Sequence, residues 1–262
     1  MEKITIKDVA RLAGVSVATV SYIINGKHED RYTQETKRKV LQVVNLYNFQ
    51  PSRLAQSFAL SKSRNVIILT GKHESVLQKA ESYDFLRLIC KTFERLGYNL
   101  IMRTHLENTR IDTADAIICV GMEEDKFRRL AQENYVPLLS VDGKINDELF
   151  FQVYQDFNHV LKEGEKEFGK DNFSVVLVDM YNRTLKEEIS ALSDKIVFID
   201  GNDTGKLPKG NIVTVNSSLK NLDGSHILFV PANTQARVDA ILDCFNKATE
   251  RVQGTIHTVR VK

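Results

Sequence analysis

From Val66 onward the chain repeats one pattern, a short run of apolar residues followed by an amphipathic stretch of helical period, and this limits what it can fold into more than any other feature. A strand covered on one face alternates apolar and polar residues, whereas a continuous apolar run reads as a strand covered on both. Parallel strands joined through helices provide that double cover. The runs fall at Val66–Leu69, Tyr98–Met102, Ala114–Val120, Val136–Val141, Phe150–Val153, Ser174–Val178, Lys195–Ile199, Asn211–Val215 and His226–Val230. Helical spacing falls at 83–96, 123–133, 157–168, 183–192 and 234–248. An α/β body of parallel sheets with helices on both faces follows.

The first 64 residues are of another kind. They carry eleven Lys/Arg against five Asp/Glu, a net charge of +6, while the remainder carries 25 against 29, a net −4. A basic head on a mildly acidic body is the footprint of a head that touches a polyanion and a body that does not. No run approaches the roughly 18 apolar residues of a membrane span, and Met1 to Thr5 lacks the layout of a secretory signal, so a cytoplasmic location without membrane contact is expected. Cys90, Cys119 and Cys244 stand far apart in apolar surroundings and read as small buried hydrophobes, with neither disulfide nor zinc spacing.

Within the head, Thr5 can cap a helix whose apolar residues Ile6, Val9, Ala10 and Ala13 share one face, and Gly14 stops it. Ser16 caps a second helix with Val20, Ile23 and Ile24 inward and Val17, Ala18, Ser21 and Tyr22 facing elsewhere. Two short helices about a glycine turn are a helix-turn-helix candidate. After Asn25-Gly26 and a polar loop, Thr33, Thr36 and Lys37 to Lys39 open a third helix whose Val40, Val43, Val44 and Tyr47 supply the remaining core wall. Pattern alone leaves any small three-helix bundle open.

The residues themselves narrow that choice. Ile6-Lys7-Asp8-Val9-Ala10, Ala13-Gly14-Val15-Ser16, Thr19-Val20-Ser21, Ile24-Asn25-Gly26-Lys27, Glu35-Thr36 and Pro51-Ser52-Arg53-Leu54-Ala55-Gln56-Ser57 closely resemble the DNA-binding head of the LacI/GalR family of bacterial transcription regulators. The resemblance covers residues 4–64 and implies a helix-turn-helix domain over 1–50 and a hinge helix with linker over 51–64. In the family the second helix lies in the major groove. Val17, Ala18 and Tyr22 stand at its variable base-reading positions, and Thr5, Ser16, Thr19, Ser21, Asn25 and Arg31 at positions that hold phosphates or support the fit. Val17 and Ala18 offer only apolar contacts, so polar readout falls to Tyr22, Ser16 or Ser21, with packing of Tyr22 on the sugar-phosphate backbone as the alternative. The loop after Lys27 departs from the family by about two extra residues, His28-Glu29-Asp30, two of them acidic.

The resemblance also implies that Ser52, Arg53, Leu54, Gln56, Ser57 and Phe58 belong to a hinge helix that enters the minor groove when a dimer sits on its operator. Phe58 occupies the place of an apolar wedge that unstacks a base step and kinks the duplex. A core role for Phe58 is disfavoured by its polar neighbours Arg53, Gln56, Ser57, Ser61 and Lys62.

For residues 65–262 the resemblance implies a periplasmic-binding-protein-like body of two Rossmann-like lobes breaking near 142–155, shortened relative to the family and serving regulation and dimerisation. Pro231-Ala232-Asn233-Thr234 replaces the family's ligand-binding Asn-Asp, Arg183 is the nearest counterpart of its ligand-binding Arg, and the chain has no Trp to stack on a sugar. An ordinary sugar pocket is therefore not expected, and the effector residues stay unassigned. Gly201 to Leu207 fails the phosphate-loop spacing, the six His lack metal-ligand spacing, and no nucleophile motif appears. Neither catalysis nor a cofactor nor a metal is expected. The expectation is a repressor binding a pseudo-palindromic DNA operator as a homodimer, against the alternatives of a sensing module with a vestigial head or an architectural DNA binder.

Overall fold

The computed structural model describes residues 4–24, 27–47, 49, 63–71, 75–103, 111, 113–200, 207–221, 226–250, 252 and 256–262. The chain divides into two compact units, Met1–Ser63 and Arg64–Lys262.

In the first unit three helices among the described residues surround one small core: α1 (Ile6–Ala13), α2 (Val17–Ile24) and α3 (Gln34–Leu46). Thr5 and Asp8 form a reciprocal capping box at the start of α1, satisfying donors the first turn leaves unpaired, and Gly14 ends it in the left-handed region at φ 69°. The backbone N–H of Thr19 donates to Ser16 Oγ at 3.1 Å and that of Thr36 to Thr33 Oγ1 at 3.1 Å, so α2 and α3 are capped as their sequences require. Each helix contributes one fully buried valine, Val9, Val20 and Val40, joined by Ala10, Ile23 and Phe49. Tyr47, expected in this core, is 48% exposed, and Phe49 closes the core in its place. The helix ends at Leu46 before its next inward position, and the Phe49 N–H donates to the Val44 carbonyl at 2.9 Å, turning the phenyl ring back inside.

The second unit contains two parallel sheets among the described residues. The first has the order β10-β5-β4-β3-β1-β2, from β1 (Asn65–Thr70), β2 (Asn99–Arg103), β3 (Ala116–Val120), β4 (Leu138–Val141), β5 (Phe151–Gln155) and β10 (Thr258–Val261). The second has the order β7-β6-β8-β9, from β6 (Ser174–Val178), β7 (Ile196–Ile199), β8 (Asn211–Thr214) and β9 (His226–Phe229). Every pairing between these strands is parallel.

The doubly covered strands are visible residue by residue. Val66 and Ile68 of β1 face one core with Phe85, Ile89 and Phe93 of α4 (Val76–Arg95) and Ile241 and Phe245 of α8 (Gln235–Glu250). Ile67 and Leu69 face the opposite core, with Phe127 and Leu130 of α5 (Glu124–Glu133). In the second lobe β6 divides likewise: Val175 and Leu177 pack with α6 (Phe157–Phe168) and α7 (Arg183–Ser190), and Val176 and Val178 with Ile199 and Ile212.

The first sheet runs through β5 to Gln155, so the chain enters the second lobe at Asp156, at the end of the expected 142–155 interval. It returns to the first lobe through α8, which packs on β4, β5 and β10. No described helix is long and apolar enough to cross a membrane.

Candidate nucleic-acid interface

Of the residues assigned to DNA contact, Thr5, Ser16, Val17, Ala18, Thr19, Ser21, Tyr22 and Arg31 are described, and they lie on the ends of α1 and α2 or on the loop that follows. Asn25 and the hinge residues Ser52, Arg53, Leu54, Gln56, Ser57 and Phe58 fall outside the described residues.

Ser16 Oγ lies 2.9 Å from Thr19 Oγ1, so both hydroxyls are held at the N-terminal end of α2. This is the end of a helix that carries unpaired N–H groups and partial positive charge, and it favours phosphate oxygens. Val17, 41% exposed, and Ala18 project from the same first turn with no part in the core. Ser21 and Tyr22 are half-buried in the next turn.

Thr5 is engaged in the cap of α1. Its hydroxyl donates to Asp8 Oδ2 at 2.6 Å, so its proton is committed inside the capping box. Those hydrogen bonds from Thr5 hold the Asp8 carboxyl below the usual carboxylate range, with Arg11 adding to the effect.

The lengthened loop acquires a structure of its own. His28 adopts left-handed φ of 52° and opens a 3-10 turn over Glu29–Arg31, and its imidazole packs on the ring of Tyr22 at 4.6 Å between centroids. Sequence reasoning missed this contact; the only signal was an aromatic ring in an extra-long loop just past α2. The loop's acidic charge is partly answered, since Glu29 pairs with Lys37 Nζ at 3.3 Å. Arg31 is exposed at the end of the turn.

In the body, a cleft of about 150 Å³ lies where the two lobes face each other. Gly121 and Asp142, just beyond β3 and β4, and Gln155, the last residue of β5, line it from the first lobe, and Asp179 and Asn216, just beyond β6 and β8, from the second. Carboxyl ends of parallel strands are where α/β folds place ligands. Its most unusual lining residue is Arg237 of α8, only 2% exposed. The guanidinium pairs with Asp142, donates to Asn233 Oδ1 at 3.3 Å and sits 4.9 Å from the ring centre of Phe85. Nothing in the helical pattern of 234–248 marks this arginine as buried. Arg183, the nearest counterpart of the family's ligand-binding Arg, extends into solvent, its side chain 86% exposed beside Glu123.

Cys119 and Cys244 are buried and Cys90 half-buried. Burial pushes their thiols up, Cys244 to about 11, which makes them poor nucleophiles. Among the described residues no three His, Cys, Asp or Glu side chains gather as metal ligands.

Known proteins match both units. The sequence model of bacterial regulatory proteins of the lacI family matches residues 5–52. The chain is 28% identical over 189 residues to the fructose operon regulatory protein of Vibrio cholerae serotype O1, covering 66% of this chain and 56% of that protein. It is 28% identical over 183 residues to the HTH-type transcriptional repressor PurR of Photobacterium profundum, covering 63% and 54%. The chain thus spans about half the length of the curated relatives it matches. In fold it is similar to the lac repressor dimer bound to operator and the anti-inducer ONPF, with a TM-score of 0.64 at 14% identity over 99% of this chain and 96% of that one. A capped helix-turn-helix head whose residues 5–52 match the sequence model of the lacI family of bacterial regulatory proteins is thus joined to a two-lobed parallel α/β body with the fold of the lac repressor.

Proposed function

We propose that the chain is a sequence-specific transcription regulator of the cytoplasm, a repressor that binds a pseudo-palindromic operator as a homodimer and acts by binding rather than catalysis. The observation that carries this reading is the first turn of α2. Ser16 and Thr19 hold hydroxyls at its positive end while Val17 and Ala18 stand outside the core, the division of labour that separates phosphate positioning from base contact.

In this reading Ser16, Thr19, Ser21, Asn25 and Arg31 fix the register on phosphates. Val17 and Ala18 meet apolar base edges such as a thymine methyl, and Tyr22 gives the polar contact. Thr5 supports the fit by capping α1. The hinge residues Ser52, Arg53, Leu54, Gln56 and Ser57 enter the minor groove at the centre of the site, with Phe58 as the wedge that bends it. Two-fold symmetry of the dimer then sets the symmetry of the operator.

Footprinting of the full-length protein across its own genome tests the proposal. Discrete palindromic sites are expected. Diffuse occupancy would instead mark an architectural binder, and no occupancy a sensing module with a vestigial head.

A further inference from the structure

The two lobes of the body are joined across their cleft by side chains of their own. Asn182, fully buried, stands at the centre of one set of contacts. Its Nδ2 donates to the Met122 carbonyl at 2.7 Å, and its Oδ1 accepts from the Lys144 N–H at 3.2 Å and caps α7 by accepting from the Leu185 N–H at 2.8 Å. One side chain thus caps a helix of the second lobe and ties it to two loops of the first. Beside it, Glu188 of α7 pairs with Lys144 and, at 3.0 Å, with Arg260 of β10.

A second set of contacts uses other elements. Glu81 of α4 accepts from the Ser218 N–H at 2.7 Å and from Ser217 Oγ at 3.3 Å. Asp84 accepts from the same hydroxyl at 2.8 Å, and Gln78 Nε2 donates to the Asp179 carbonyl at 2.9 Å.

The cleft between these sets is small, and its strongest charge is paired with Asp142 within the chain, while Arg237 Nε and the Gln155 side-chain amide are the buried lining atoms without a hydrogen-bond partner among the described residues. A volume of about 150 Å³ falls below the roughly 300 Å³ at which small-molecule pockets begin. Arg237, the cation a ligand would have to engage, is paired with Asp142 and packed over Phe85.

We propose that the body is self-closing: Asn182 and Glu81 hold the lobes together with no small molecule between them, and the closed arrangement is the resting state of the protein. A ligand moves a conformational equilibrium only by its differential affinity for the two states, and here bonds internal to the chain already supply the bias toward closure. If the head binds an operator as proposed above, its affinity needs no metabolite. That consequence rests on the proposed function, whereas the closure is read from the body alone.

Hydrogen exchange of the full-length, exhaustively dialysed protein, resolved to single amides, tests it. The Ser218 and Lys144 amides, each bonded to a side chain of the other lobe, are expected to be protected in the wild type. Asn182→Asp keeps the acceptor that caps α7 and loses the donor to Met122. It is expected to speed exchange at Ser218, which Asn182 does not touch, by roughly two- to tenfold, the factor one buried hydrogen bond is worth. Glu81→Ala is expected to do the same at Lys144. Protection at Ile118 of β3 and Val176 of β6 checks that either variant is folded, and if one fails that check the other carries the test. Rapid exchange of both reporter amides in the wild type, or a change confined to amides that contact the altered residue, overturns the proposal.

Discussion

Replacing Phe49 by Ala should unfold the head and leave the body intact. The ring is 8% exposed and shares its core with Val9, Ala10, Val20, Ile23 and Val40. Truncating a buried Phe costs about 3–5 kcal/mol in transfer and cavity terms. A domain of about 50 residues has a total stability of only ~2–7 kcal/mol, so the loss is of the same size as the whole. The body keeps its own cores, such as the edge-on aromatic cluster of Phe93, Tyr98 and Phe245 with centroids 5.1–6.0 Å apart. Thermal unfolding of the full chain followed by NMR should show the head signals of Phe49→Ala collapsed at 25 °C, while the upfield methyl signals of the body persist to the wild-type temperature. DNA binding should disappear with the head. A variant with a folded head and undiminished binding would refute the argument that this ring closes the core.

Three further outcomes follow from particular contacts. His28→Ala, by freeing the ring of Tyr22, should weaken specific DNA binding by about 0.5–1.5 kcal/mol and relax preference at one base pair of each half-site; a uniform loss across site variants would show that His28 contributes only to general attraction. The head should lose stability in acid: Asp8 and Glu35 are held below their ordinary values, by Thr5 and by Lys39, so the stability they give is complete above the unfolded carboxylate range and drains away as pH falls through their folded values. Asp8→Asn should flatten that dependence in head melts between about pH 5 and 2, and an unchanged slope would contradict it. Gly164→Ala sets a helix-propensity gain of about 1 kcal/mol against a Cβ placed 2.5 Å from Phe173 Cε2 and 2.8 Å from Val213 Cγ2; overpacking at about 1–3 kcal/mol should win, so a raised melting temperature of the body would show that this packing gives way.

What was legible in the sequence was what local chemistry decides. Thr5, Gly14, Ser16 and Thr33 mark helix ends because capping and positive φ involve neighbours a few residues away, and these helices start or stop where those residues stand. The apolar runs located the strands because a strand buried on both faces has no polar side. Phe49 was missed because helical period continues past Leu46 on paper, whereas the chain leaves the helix there.

Arg237 and Asn182 were missed for another reason. An arginine on an amphipathic helix reads as a solvated face, and an asparagine before a helix reads as a cap. Their burial depends on Asp142, Phe85, Met122 and Lys144, which lie 38 to 152 residues away in sequence. The Tyr22–His28 contact lies between these cases, near in sequence but created by a loop whose conformation local propensity does not settle.

In the proposed function this head reads DNA sequence. An equilibrium titration of the full-length protein tests it most directly, comparing a duplex that carries a footprinted palindromic site with one of the same composition and scrambled order, at one fixed salt concentration. Tighter binding to the palindrome by about a thousandfold or more is expected, the ratio that separates specific from nonspecific recognition. Equal affinity for the two duplexes would contradict it.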